Sequence, residues 1–160
     1  MFNKLLKKSH RIQFSVDGKP PKKDVADSIW SEDSKQAKLI FNLREKAFEA
    51  SKKAGMSSCF PGPVKLELTV YAPNILERKD RNDYAGDLDA FIGGVFDSLQ
   101  PAPKNSTLKL HSMFNDRKDI GAAVSLIIAD DAQIVTTVAK KRKNQQTFYT
   151  VLIEAEDNCE

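Results

Sequence analysis

The sequence predicts a single α+β domain in which a mixed β-sheet carries helices mainly on one face, in the order β-α-β-α-β-β. Three observations lead there. Several short runs alternate apolar and polar residues with the period of a half-buried strand. Two longer runs carry a single apolar stripe at helical spacing. Strands and helices alternate only as far as the second helix, after which two strand-like runs follow in succession, so the sheet is expected to be mixed rather than wholly parallel. The chain has 160 residues, suited to one domain and large enough to bury a core without disulfide or metal staples.

The first strand is expected over 12–16, where Ile12, Phe14 and Val16 point inward and Gln13 and Ser15 outward. Asp17-Gly18 and Pro20-Pro21 end it in a turn or extended loop. A long helix is expected from about Ser31 or Ser34, residues suited to an N-cap, to Gly55, suited to a C-terminal stop, with Leu39, Ile40, Leu43, Ala47 and Ala50 as its stripe. Val64, Leu66, Leu68 and Val70, interleaved with Lys65, Glu67 and Thr69, form the clearest strand. A charged loop from Pro73 to about Tyr84 leads to a second helix, capped at Asp87 and striped by Leu88, Phe91, Ile92, Val95 and Leu99. Gly93-Gly94 in its middle costs about 1 kcal/mol per glycine relative to alanine, a cost expected where a partner subunit or the segment 100–121 packs closely. Pro101 and Pro103 stop this helix. A long polar connection without clear period follows, of the kind that is functional or mobile. Ile134–Ala139 and Phe148–Glu154 then read as a hairpin whose tip is the basic run after Ala139. A long insertion at about 100–128 and a short polar tail at 155–160 complete the single domain over 1–160.

Composition excludes several classes. With 41% hydrophobic and 29% charged residues the chain reads as globular. No apolar run approaches the roughly 20 residues of a membrane span, and the richest, Ala122–Ala129, is interrupted by Ser125. The lysine-bearing start MFNKLLKKSH lacks the apolar core and cleavage site of a secretory signal. The two cysteines, Cys59 and Cys159, have no metal-ligand spacing and are too few for a disulfide framework. A reducing, cytoplasmic location is therefore expected, with no membrane partner and no organic cofactor. Net charge is only +3, but its distribution is uneven. Lys4, Lys7, Lys8, Arg11, Lys19, Lys22 and Lys23 face one early acid, Asp17, and 140–143 is Lys-Lys-Arg-Lys, whereas acids gather at Glu77, Asp80, Asp83, Asp87, Asp89 and Asp97. Basic flanks around an acidic centre suit a metal-dependent enzyme acting on a polyanion; an unevenly charged solvated surface reads the same way.

The chemistry-bearing residues are Gly86-Asp87-Leu88-Asp89 at a helix start and Asp130-Asp131 before a strand. Residues two apart on a helix do not share a face, so Asp87 and Asp89 converge only if Asp87 lies in the entering turn. Several clustered carboxylates raise one another's pKa, and Mg²⁺, which takes oxygen ligands and commonly one or two carboxylates plus substrate phosphate, relieves that repulsion. Such a centre can activate water and stabilise the leaving oxygen in phosphodiester hydrolysis. The simpler roles remain open at this point: a helix cap for Asp87 and Asp89, and a turn for Asp130-Asp131. His10 and His111 stand alone, and no Ser, Cys and His form a nucleophile with its base.

Taken together, Asp87-Leu-Asp89-Ala-Phe-Ile-Gly-Gly-Val-Phe-Asp97-Ser-Leu99 and Asp130-Asp131-Ala-Gln133-Ile134 resemble the RusA-type Holliday junction resolvases, which carry D-x-D-N at a helix start, D-A-L some ten residues on, and then D-D-x-Q-I/V. Phe14-Ser-Val-Asp-Gly18-Lys19-Pro20, Gly62-Pro-Val-Lys-Leu66 and Lys140 or Lys141 extend the resemblance over about residues 12 to 154. It implies a RusA-like fold and a homodimer that cuts four-way DNA junctions symmetrically with Mg²⁺, or Mn²⁺ in its place. Asp87, Asp89 and Asp131 would be catalytic, and these with Asp130 would hold the metal. Lys19, Lys22, Lys23, Lys79, Arg81, Lys140, Lys141, Arg142 and Lys143 are the candidates for DNA contact. Three features depart from the family pattern: Ala90 stands for its asparagine, Gly93 for its lysine, and the segment between Leu99 and Asp130 is much longer.

Overall fold

The computed structural model describes residues 11–23, 28–76, 85–104 and 111–156. Its elements run β1 (Arg11–Asp17), α1 (Ala37–Lys53), β2 (Val64–Ala72), α2 (Leu88–Leu99), β3 (Ile134–Lys143) and β4 (Phe148–Ala155), with 3₁₀ turns at Ser112–Phe114 and Asp131–Gln133. This is the expected α+β order. The strands form one four-stranded sheet in the order β1-β4-β2-β3. β4 runs antiparallel to both β1 and β2, while β3 runs parallel to β2.

The pairing corrects the expected hairpin. β3 and β4 lie on opposite sides of β2, and the residues joining them cross its C-terminal end, where the Asn144 N–H donates to the Ala72 carbonyl at 3.0 Å. The basic run is correspondingly the last part of strand β3 rather than a turn.

Alternation decides which sheet face is covered. Ile12, Phe14 and Val16 of β1, the even-numbered residues Val64 to Ala72 of β2, and Tyr149, Val151 and Ile153 of β4 are buried in one cluster with Leu43 and Ala47 of α1 and Phe91, Val95 and Leu99 of α2. α1 begins at Ala37, later than either serine, because Ser31 and Ser34 are used in the preceding turns: their hydroxyls accept the Asp33 and Gln36 N–H groups. It ends as expected. Gly55 takes a left-handed φ of 70°, its N–H bonds Lys52, and the Met56 N–H bonds Ser51, closing a Schellman stop.

The connection after α2, expected to be functional or mobile, is packed where it is described. In its described part Phe114, Ile120, Ala122, Leu126, Ile127 and Ile128 are buried. Phe114 and Ala122 join Ile29, Trp30 and Ile40 in a second apolar cluster. Arg44, fully buried on α1, holds the segment. Its guanidinium donates to the carbonyls of Ser98, Gln100, Ile120, Gly121 and Val124 and lies 5.0 Å from the Trp30 ring. Burial lowers its pKa to about 10, so it stays charged at neutral pH.

The Gly93-Gly94 pair does mark a close approach, and the neighbour is the chain after β1 rather than the described part of the segment 100–121. A Cβ on Gly94 would collide with the Pro21 carbonyl oxygen, and one on Gly93 would sit 3.0 Å from the Lys23 Cβ. The Lys23 N–H donates to Ala90 at 3.0 Å, locking this segment along α2. Gly94→Ala is expected to cost about 1–3 kcal/mol of stability, since rigid backbone must move to admit the methyl group; the midpoint of urea denaturation reads the loss.

Candidate functional site

Asp87 and Asp89 lie where expected on the chain. The Ala85 N–H donates to the Asn74 carbonyl at 2.7 Å, which fixes the start of α2 just beyond the C-terminal end of β2. Asp87 is the N-cap residue, extended at φ −91° and ψ 123°, and Asp89 is in the first turn. Both are exposed. The Asp87 side chain makes no capping hydrogen bond, so its carboxylate is not committed to holding the helix.

Asp130 and Asp131 sit elsewhere. The Gln133 amide donates to the carbonyls of Phe60 at 2.6 Å and Gly62 at 3.0 Å, while its Oε1 accepts the N–H groups of Ala129 and Asp130. That fastens the motif beside the N-terminal end of β2. From Val64 to Ala72 the strand spans about 26 Å at the usual rise per residue. The two acidic pairs therefore occupy opposite ends of β2. Asp130 is also occupied: its Oδ1 accepts the Ala132 N–H at 2.8 Å in a capping box with Gln133. The D-D-A-Q motif works locally as a capped turn clamped to the loop before β2. Among the described residues no group of three or more His, Cys, Asp or Glu is arranged to hold a metal ion. The four-carboxylate centre expected from Asp87, Asp89, Asp130 and Asp131 is not assembled within the chain. The parallel crossover gives the reason: α2 starts where β2 ends, whereas β3 starts where β2 starts.

The expected DNA-contacting residues gather at the Asp87 end. Asp17 of β1, Tyr71 of β2 and Phe148 of β4 stand in one register row at the C-terminal ends of β1 and β2. Lys19, Lys22 and Lys23 follow β1 there, and Lys22 and Lys23 lie along α2, the Lys22 Nζ 5.8 Å from the Phe91 ring centre and the Lys23 Nζ 3.5 Å from Asp97. Lys23 thus covers Gly93, the position at which RusA-type resolvases carry a lysine, although its ammonium is turned to Asp97. Lys140 to Lys143 close β3 at the same end, in register with Thr69 to Ala72. Arg142 and Lys143 are exposed. Lys141 reaches the Ile75 carbonyl at 3.4 Å. Lys140 is engaged by Glu67 at 2.8 Å, and that hydrogen bond holds the Glu67 carboxyl below its ordinary pKa. Lys79 and Arg81 lie outside the described residues.

Other chain features carry structure. His111 Nδ1 accepts the Met113 N–H at 3.1 Å, capping a 3₁₀ turn. Cys59 is a half-buried free thiol. No helix among the described residues is long and apolar enough to cross a membrane. Arg44 escaped sequence reading because a charged residue in a helix is ordinarily read as solvent-facing; its one signal is its position four residues after Ile40 and one after Leu43. No family model matches the chain, and no curated protein matches it.

Proposed function

We propose that the protein is a Mg²⁺-dependent endonuclease for four-way DNA junctions that engages DNA with the end of the sheet where α2 begins. The observation that carries this reading is the common location of Asp87 and Asp89, whose carboxylates are exposed, and the cationic residues Lys22, Lys23, Lys141, Arg142 and Lys143. Cations at that end would hold phosphates by counterion release, and the two acids lie among them, where a bound backbone would pass. The pair matches the smallest donor set Mg²⁺ commonly takes, one or two carboxylates, with water and phosphate oxygens completing its shell. A bound ion would supply charge stabilisation to the phosphate. Homodimerisation, which the resemblance to RusA-type resolvases implies, would present two such ends to the opposed strands of a junction.

A second reading, junction binding without cleavage, is favoured by two observations. Asp131 is held at the other end of β2, and Gly93 leaves no basic side chain on α2 next to the acids. Incubating the protein with a synthetic four-way junction, with and without Mg²⁺, separates the readings: paired nicks only with Mg²⁺ support the enzyme, a stable complex without nicks supports the binder, and neither removes both. Binding should also fall steeply with salt. Lys141, Arg142 and Lys143 replaced together by glutamine should flatten the slope of log affinity against log salt by about 3, at roughly 0.9 per lost phosphate contact. An unchanged slope would show that this part of β3 faces away from DNA.

A further inference from the structure

The sheet face opposite the helices carries an arrangement that the reading above does not use. β1 alternates exposed Arg11, Gln13, Ser15 and Asp17 with its buried residues, so among the described residues neither helix covers this side. Register places Asp17, Phe148, Tyr71 and Arg142 in one row across all four strands, with Ser15, Thr150, Thr69 and Lys140 in the next. The Tyr71 and Phe148 rings stack across the strand pair, centroids 4.4 Å apart and planes within 8°. Both residues are partly buried. Because the rings face each other across β2 and β4, the outer face of Tyr71 is turned toward β3, where Arg142 is the residue of the row. Arg142 is exposed, and its Nη1 rests on the neighbouring Lys141 carbonyl at 3.2 Å.

A cross-strand aromatic pair strengthens a sheet by itself. Its charge environment points further. The row ends in an acid at β1 and a cation at β3, and Lys140, engaged by Glu67 at 2.8 Å, stands in the next row of the same face. A polyanion laid on this face is repelled at Asp17 and held over β3. Every nucleobase has a π-face that can stack on an aromatic side chain, and the guanidinium plane of arginine stacks on bases as well. Intact duplex keeps its bases inside, so only an unpaired base can use such a surface.

We propose that Tyr71, supported by Phe148, is a stacking platform for an unpaired base of single-stranded DNA, with Arg142, the cation of the same row, holding a flanking phosphate. This rests on the reading that the protein binds DNA, and it adds a preference for unpaired nucleotides at the same end of the sheet.

The test uses the full chain, a short single strand containing 2-aminopurine, its fully paired duplex, and a four-way junction. Binding of the single strand should quench the 2-aminopurine fluorescence. Tyr71→Ala should weaken single-strand affinity about tenfold, the scale of one lost base stack, while Tyr71→Phe retains it and duplex affinity stays unchanged. Arg142→Gln, at an exposed position that does not bear on folding, should weaken single-strand binding and flatten its salt slope by about 1. Full single-strand affinity in Tyr71→Ala overturns the proposal, as does an equal loss for single strand and duplex in that variant. A protein that binds junction and duplex yet ignores the single strand loses the platform alone; one that binds none of the three loses the DNA reading itself.

Discussion

Arg44→Ala is expected to lose about 3–5 kcal/mol of folding stability, enough to leave a domain of this size marginal or unfolded. The side chain is fully buried and among the described residues has no carboxylate partner; its charge is balanced by the carbonyls of Ser98, Gln100, Ile120, Gly121 and Val124. Hydrogen bonds to a charged donor are each stronger than neutral ones, and a buried carbonyl stripped of its donor keeps its full desolvation penalty. Truncation also opens a cavity beneath Trp30, which lies 5.0 Å from the guanidinium. Arg44→Lys should recover little, because a single ammonium has three donors and cannot reproduce a planar five-donor fork. Urea denaturation of both variants reads the effect. A midpoint within experimental error of the wild type in Arg44→Ala would mean that the segment 98–124 is held by its apolar contacts alone.

This network also shows where sequence reading stops. β1, β2 and α2 were legible because their apolar residues recur with a period set by local geometry, and Ile12, Phe14, Val16, Val64, Leu66, Leu68 and Val70 are buried as that period requires. Pairing was not legible. Their β-rich make-up marks Ile134–Ala139 and Phe148–Glu154 as strands but says nothing of β2 lying between them. The order of the strands in turn decides the site. Asp87-Leu-Asp89 and Asp130-Asp131 read as one constellation in sequence, yet the parallel β2–β3 crossover sends them to opposite ends of the sheet. The glycine pair on α2 signalled a close approach without naming its partner, because Pro21 and Lys23 are brought there by tertiary structure. The segment after α2 lacked a period because its buried residues lie outside any α-helix or strand and are divided between the two apolar clusters.

The most direct test of the central claim, that the reactive carboxylates are those at the start of α2, compares junction cleavage by Asp89→Asn and Asp130→Asn. Asp89 is exposed in the first turn of α2 at the cationic end. Its amide replacement is nearly isosteric but cannot balance a divalent cation. Cleavage should fall by at least the 10²–10³-fold typical of a lost charge contact in a transition state, with junction affinity and melting temperature preserved. Asp130 spends its carboxylate on the Ala132 N–H, and asparagine caps as well as aspartate, so Asp130→Asn should cut at the wild-type rate. Wild-type cleavage by Asp89→Asn, or abolished cleavage by a folded Asp130→Asn, would contradict the account and move the centre to the other end of β2.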